Sequence, residues 1–600
     1  MRLPNCDRDT RADSVHLEIL REIPEDSALR AGWNALVLKT EQPQVFYTWE
    51  WARAVAEAYR GERPPWLAVA AEGDEIVGVA ALAIEMQRRA VFLNSTTGDY
   101  CDFLSAPDRR GEFVKAVLAE LQESGVHDLF LTNLPRDSAT VPALGSAAKR
   151  LGMHAYGRLA YDCARVVLGS SEERAELKRQ LGKKKTFRRA MHALGAKAPL
   201  EIRHLTAWEE VEGLLPAFAN AHVARFLATN RLSNLVRRER REFLRKLAEL
   251  LCASQNLALS QMRMGDEVIA WNYGFRFAGS WFWYQPTFES SLEVHSPGRL
   301  LLANLLMEVC DNPAIKIFDL GLGAEGYKER VANGSRETLA MTISTSRRRV
   351  AQEQVRSRAA DLVKRSPKTE AAVRGILSRA GSARQRWRRD GAADFGANLL
   401  GRARRAVSGA EEVRFYAWTQ QTEIVGSDEA ASGSNLKLLP ADLRVLADAA
   451  MAYEDDTATA TYLLRAGQRC MDKSAAGFVL FEGSVPVHFA WTTPFEGFGM
   501  AELQTRLSAP EPEAWLIFDC WTPPGVRNRG MYAVAIARVA VKLAAEGRRP
   551  WIFSAAMNAW SLRGIERAGF QYRYAMTARS RLFRRTITTE LTPPNPHRKR

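Results

Sequence analysis

The chain has 600 residues, 46% of them hydrophobic, which is too many for one core and enough for several domains. Its seven cysteines are scattered without a CxxC pair, which speaks against a disulfide framework and against a zinc site, so no metal is expected. No run approaches the roughly 20 apolar residues of a membrane-spanning helix, and the charged opening Met1–Ile19 lacks the apolar centre of a secretory signal. A cytoplasmic protein is expected, at most peripheral at the inner membrane surface.

The formal net charge of +15 is concentrated: residues 347–405 hold 17 Lys/Arg against 5 Asp/Glu. The rest of the chain is nearly balanced, so nucleic acid is not the expected partner.

Residues 1–165 read as a first α/β module. An amphipathic helix over Phe46–Ala58 precedes strands Trp66–Ala70 and Ile76–Ile84 around a Glu72-Gly73-Asp74 turn, then a strand at Tyr100–Leu104. A helix over Gly111–Gln122, a strand at Asp128–Leu134, a helix over Val141–Leu151 and a strand near Tyr156–Ala160 complete it. Residues 166–200 form a basic connector containing LGKKKTFRR (Leu181–Arg189). This run is read either as a solvated helix face or, where it faces a pocket, as an anion contact.

Residues 201–346 repeat the order. A helix bearing Phe218, His222 and Arg225 and a basic helix over Arg237–Leu251 precede strands Leu257–Met262, Val268–Phe277 and Trp281–Tyr284. A helix over Leu300–Cys310, a strand at Ile315–Leu320 and a last strand near Thr338–Ile343 follow. The matching order suggests an internal duplication. Residues 347–410 read as a partly helical basic linker, with contact to anionic lipid as the sharper alternative. Residues 411–590 give the pattern a third time: helices Leu439–Met451 and Thr459–Arg469, strands Gly477–Glu482, Val485–Trp491, Trp515–Trp521 and Trp551–Ala555, and helices Met531–Glu546 and Ala559–Ala568. Residues 591–600 are expected to be a disordered tail. The fold class is therefore α/β (α+β), with three mixed-sheet lobes.

Ser296–Arg330, SPGRLLLANLLMEVCDNPAIKIFDLGLGAEGYKER, is the stretch with most chemistry. Ser296, Gly298 and Arg299 open a helix where an anion can meet exposed N–H groups. Asp319, Glu325, Tyr327 and Lys328 cluster just past a strand's carboxyl end, the usual place for a site in an α/β layer. In the third module Arg527, Arg529 and Gly530 precede a helix in the same way, and Asn558 and Ser561 open the next. No GxxxxGK[ST], HExxH, GxSxG or dinucleotide-type GxGxxG is present in context.

Arg527–Gly530 with Asn558, Ser561 and Ala568-Gly569-Phe570 resembles the GNAT acyltransferase superfamily, although Tyr532 stands where that family has a small residue. GDYCDFL (Gly98–Leu104), LGKKKTFRR, the His222 and Arg225 helix, SPGRLLL and FDLGLGAEGYKER resemble the cellulose-biosynthesis-associated CelD/BcsL-type acyltransferases over about residues 46–343. Such proteins are similar in layout to the tandem-GNAT FemABX aminoacyltransferases.

The resemblance implies transfer of an acyl group from acyl-CoA, acetyl-CoA first, to a small-molecule or saccharide acceptor of the cell envelope. Asp319, Glu325 and Asp102 are then the candidate bases, Tyr327 the donor to the leaving thiolate, and Lys328 and Arg299 the anion contacts. Arg527, Arg529, Gly530 and Asn558 are the matching cofactor positions of the third lobe. Duller readings stand beside these: Asp319 as a turn cap, Glu325 and Lys328 as a surface pair, Tyr327 and His222 as packing residues, Asp102 as a solvent-facing carboxylate, and the third lobe as a fold that binds nothing. The rivals in function are an aminoacyl-tRNA-dependent transferase and a non-catalytic scaffold at a membrane.

Overall fold

The structure is a computed structural model that describes residues 16–85, 88–323, 326–364, 410–419, 435–473, 475–581 and 584–591. The chain divides into two compact units, Met1–His222 with Arg238–Ser366 and Val223–Arg237 with Pro367–Arg600.

The first unit is built on one 13-stranded mixed sheet. Its strands are β1 (Leu17–Leu20), β2 (Pro65–Glu72), β3 (Glu75–Glu85), β4 (Arg89–Phe92), β5 (Leu104–Ser105), β6 (Asp128–Pro135), β7 (His154–Val167), β8 (Leu200–Leu205), β9 (Leu257–Met264), β10 (Glu267–Phe277), β11 (Ser280–Phe288), β12 (Ile317–Asp319) and β13 (Gly334–Ser344). The helices are α1 (Ser27–Lys39), α2 (Trp49–Ala58), α3 (Arg110–Glu123), α4 (Thr140–Arg150), α5 (Ser171–Lys183), α6 (Lys185–Gly195), α7 (Trp208–Ala228), α8 (Arg238–Ala253), α9 (Pro297–Cys310), α10 (Gly326–Glu329) and α11 (Arg347–Lys364). The β2–β3 and β9–β10 hairpins turn on Gly-Asp pairs whose glycines, Gly73 and Gly265, have φ of +62° and +60°. Glycine is the residue that takes such a turn without a Cβ penalty.

The strand order β1-β2-β3-β4-β6-β13-β7-β12-β11-β10-β9-β8, with β5 on β3, shows two tandem GNAT-like lobes that trade their last strands. The strand expected to close the second lobe, β13, lies between β6 and β7 of the first. Conversely β7 runs well past the expected Tyr156–Ala160 and reaches β12 of the second lobe through Arg165, Val166 and Val167. The expected strand at Tyr100–Leu104 is reduced to Leu104–Ser105. Before it, the chain is tied to the left-handed residue Asn133 (φ +59°), whose side chain donates to the Gly98 carbonyl at 2.9 Å and whose carbonyl accepts from the Cys101 N–H at 2.9 Å.

Each lobe has its own core. Phe113, Val117 and Leu121 of α3 and Leu144 of α4 pack on the first lobe's sheet, and Met341 and Ile343 of β13 belong to that same core. In the second lobe Leu301, Leu305 and Leu306 of α9 are fully buried with Trp281, Trp283 and Phe318, each leucine worth about 1.5–3 kcal/mol. On the opposite face of the sheet, Phe46, Trp51, Phe243, Phe275 and Tyr284 form a network of edge and tilted ring contacts that joins the two lobes.

The second unit carries an eight-stranded sheet of β14 (Ala410–Trp418), β15 (Leu436–Pro440), β16 (Ala476–Glu482), β17 (Val485–Pro494), β20 (Ala514–Trp521), β21 (Arg549–Ala555), β22 (Phe570–Arg581) and β23 (Arg584–Glu590), with a separate pair β18 (Gly499–Met500) and β19 (Thr505–Arg506). The order β15-β16-β17-β20-β21-β14-β22-β23 is a mixed sheet in which β20 and β21 run parallel. Neither β14 nor β23 is among the strands expected from sequence. No helix among the described residues is long and apolar enough to cross a membrane.

Candidate functional site

The second lobe holds a cavity of about 470 Å³ between α6, the start of α9 and the turn after β12. Helix α6 is amphipathic: Phe187, Ala190 and Met191 lean on the second core beside the buried Leu194, the spacing of one helical face. Phe187, Ala190, Leu300, Leu302 and Ala303 give the cavity apolar walls, and Lys184, Arg189, Arg299 and Arg330 bring four cations to it. No carboxylate lines it among the described residues. Of the basic connector, Lys184 and Arg189 line the cavity, and Lys183, Lys184, Lys185, Arg188 and Arg189 are all exposed.

The start of α9 faces the same space. Ser296 takes a left-handed conformation (φ +52°) before Pro297 at the first helical position, and the Arg299 guanidinium donates to the Ser296 hydroxyl. Gly298 lies against the Phe288 ring, where a Cβ would approach to 2.9 Å. Apolar walls, a cationic rim and a helix N-terminus suit a ligand with an apolar part and an anionic part.

Beside the cavity the sheet opens. β11 pairs with β12 only from Ser280 to Phe282 and runs on to Phe288 without it, after an irregularity in its register with β10. Asp319, 1% exposed at the end of β12, accepts from Arg165 Nε at 2.8 Å and the Tyr100 hydroxyl at 2.9 Å, and its other oxygen accepts from the Gly321 N–H at 2.9 Å. Arg165 and Arg336 sit over the Tyr100 ring at 5.2 and 5.1 Å. The turn-capping role of Asp319 is therefore present, together with a buried ion pair.

Asp99, a residue that sequence reasoning passed over inside the GDYCDFL block, reaches this cluster from the first lobe. Gly321 has φ of +72° and a Cβ there would lie 2.5 Å from an Asp99 carboxylate oxygen. Burial, then the nearby Asp319, push the Asp99 carboxyl up to about 7; Lys328, Arg240 and the Leu322 N–H pull the other way. Lys328 is buried and donates to the Leu322 carbonyl at 2.8 Å. Arg240, 5% exposed, donates to the Tyr284 hydroxyl at 2.6 Å and lies beside Tyr59, while among the described residues its Nε and Nη1 have no hydrogen-bond partner. Tyr327, next to Lys328 in α10, lines the cavity and accepts from Trp283 Nε1 at 3.2 Å. Tyr327 at the cavity and Lys328, whose charge acts on Asp99, are thus adjacent in α10.

Asp102 is held apart from that cluster. It accepts from the Phe103 N–H at 2.8 Å and from Ser138 and Thr140, and burial pushes it up to about 6. It borders a void of about 20 Å³ with Tyr47 and Asn94, room for about one water. His222 is 4% exposed and next to Phe218. Glu325 and residues 365–405 of the basic linker lie outside the described residues.

In the third lobe Gly530 (φ +77°) precedes the helix Met531–Ala545. Arg527 donates to the Thr522 carbonyl at 3.0 Å, Arg529 pairs with Glu482 at 2.6 Å, and Asn558 caps the helix Ala559–Arg567 through the Ser561 N–H. Tyr532 fills the space between these helices: its hydroxyl bonds Ser561 at 3.0 Å, and a Cβ at Gly564 would meet its ring at 2.4 Å. The departure from a small residue is accommodated by a glycine opposite.

Among solved structures the chain is similar to FemX (9% identity, 56% of this chain and 99% of that one, TM-score 0.38). It is also similar to a tandem GNAT protein from the clavulanic acid biosynthesis pathway (13% identity, 55% and 99%, TM-score 0.33). A third likeness is to a C-terminal domain assigned to a lysylphosphatidylglycerol synthetase of Agrobacterium fabrum (10% identity, 54% and 93%, TM-score 0.36). At such scores these likenesses decide nothing about activity. No protein of curated function matches the sequence. The family described as an acetyltransferase (GNAT) domain matches residues 182–329, the span that holds α6, α9, β11 and β12, and this part of the chain is similar to that family.

Proposed function

We propose that the second lobe binds acyl-CoA, acetyl-CoA first, in the cavity and transfers its acyl group to an amine or hydroxyl of a saccharide or other cell-envelope precursor, as the CelD/BcsL-type resemblance implies. The observation that carries this reading is the cationic rim on apolar walls, Lys184, Arg189, Arg299 and Arg330 around Phe187 and Ala303, all but Arg330 inside the matched span. Phosphates meet the four cations and the N-terminus of α9, the acyl end lies along the apolar wall toward Tyr327, and the opening between β11 and β12 admits the acceptor. Tyr327 and Lys328 would supply donors to a leaving thiolate and to the developing carbonyl charge.

Isothermal titration of the full chain with acetyl-CoA tests the reading. Wild type should bind, and Arg299→Ala and Lys184→Ala should each weaken binding by roughly tenfold, the worth of one charged hydrogen bond. Salt-sensitive binding of tRNA without binding of CoA would replace this reading with an aminoacyl-tRNA-dependent transferase. Contact of residues 347–405 with membrane is part of the proposal and is tested by sedimentation with vesicles of anionic phospholipid.

A further inference from the structure

We infer that Asp99, brought by the first lobe to the gap between β11 and β12 of the second, is the group that takes the proton from the acceptor. This rests on the acyl-transfer reading and adds a residue from the other lobe to it. Two carboxylates meet here, and their surroundings differ. Asp319 is 1% exposed and already accepts three hydrogen bonds, one of them within an ion pair with Arg165, so its oxygens are engaged in orienting Tyr100 and the turn at Gly321. Asp99 is half-buried and lies against Gly321 so closely that a Cβ there would come within 2.5 Å of its carboxylate. That turn follows β12 at the place where β11 has lost its partner strand, and Tyr327, at the wall of the cavity, is next in sequence to Lys328.

The charged and titratable groups around Asp99 come from every element packed on it: Asp319 from β12, Lys328 from α10, Arg240 from α8, Tyr284 from β11, Cys163 from β7 and Cys101 from its own loop. The buried Arg240, with two N–H groups unpartnered among the described residues, supplies positive charge without closing an ion pair on Asp99. This leaves the carboxylate basic enough to accept a proton near neutral pH, whereas a carboxylate locked to an arginine is not.

In the transfer, the acceptor's N–H or O–H bond breaks as its nitrogen or oxygen bonds the thioester carbon, and the proton passes to Asp99. The C–S bond breaks, the CoA thiolate takes a proton from solvent, and Asp99 returns its own to solvent.

The test is CoA release from acetyl-CoA by the full chain, with glucosamine as acceptor and with water alone, followed between about pH 5.5 and 8.5. Wild-type kcat/KM should rise with pH through about 7. Asp99→Asn should lower kcat by about 100-fold or more while acetyl-CoA binds, by titration, as it does to wild type. Wild-type kcat in D99N overturns the inference, and a flat wild-type pH profile overturns it whether or not D99N folds. Wild type that neither binds acetyl-CoA nor releases CoA overturns the acyl-transfer reading first, and the inference with it.

Discussion

Asp99 shows how a single residue can be costly to the fold. Its carboxyl titrates at about 7 in the folded chain against an ordinary value of 3.8. Between those values the folded state holds more protons at this site than the unfolded state, so this group's contribution to stability falls as pH rises from about 4 to about 7 and stays low above that. Asparagine has the same shape, accepts the Leu322 N–H through its oxygen and carries no charge. Asp99→Asn should therefore melt above wild type at about pH 8, with the difference shrinking toward about pH 4.5. Thermal melts of both proteins across that range check this, and a difference that does not change with pH would show that Asp99 is not strained by its charge. A stabilising substitution that removes turnover is the trade-off expected of a site built at some expense to the fold.

At the scale of elements, the cavity depends on α6 standing off the start of α9 over one small residue. Ala303 lines the gap, and the leucines beneath it are already buried. Ala303→Trp should fill the cavity from its partly open side, abolishing acetyl-CoA binding while shifting the melting temperature by no more than a few degrees, as surface changes do. Titration and a thermal melt on one preparation separate blockage from unfolding. Much at this scale was legible in the sequence, because local signals specify it: the Gly73 and Gly265 turns, the apolar face of α9, and Pro297 at its first position. The basic run at Leu181–Arg189 was legible as two alternatives, and the structure brings Lys184 and Arg189 of it to the cavity. Asp99 was not legible as a partner of Gly321, since the two are far apart in sequence and no local pattern encodes their contact. Tyr100–Leu104 misled for a related reason. Its alternation reads as a strand, but Asn133 from β6 takes the backbone bonds that a neighbouring strand would have taken.

At the scale of the molecule, the three lobes share one vacancy and fill it differently. In the first lobe β13 enters between β6 and β7, and in the second β7 lies between β12 and β13. In the third, β14 lies between β21 and β22. The tandem lobes thus complete each other, while the third completes itself with the strand at its own start. Pairing of this kind is set by long-range register, so module boundaries drawn from element order cut through a shared sheet.

One substitution reads out the consequence. Ile343, 0% exposed, opposes Leu129 of β6 and Ala155 of β7 and packs into the first lobe's core, although it lies at the end of the second lobe's sequence. Ile343→Asp buries an unpaired charge there, at a cost on the order of 4 kcal/mol or more. If the lobes are one cooperative body, hydrogen exchange should show β2, β3 and β6 losing protection together with β9, β10 and β11. Protection retained in β9–β11 would mean that the second lobe stands without the strand exchange. In that case the arrival of Asp99 at Gly321 would be a docking of two independent lobes, and a second-lobe cavity able to bind acyl-CoA would survive the loss of the first lobe.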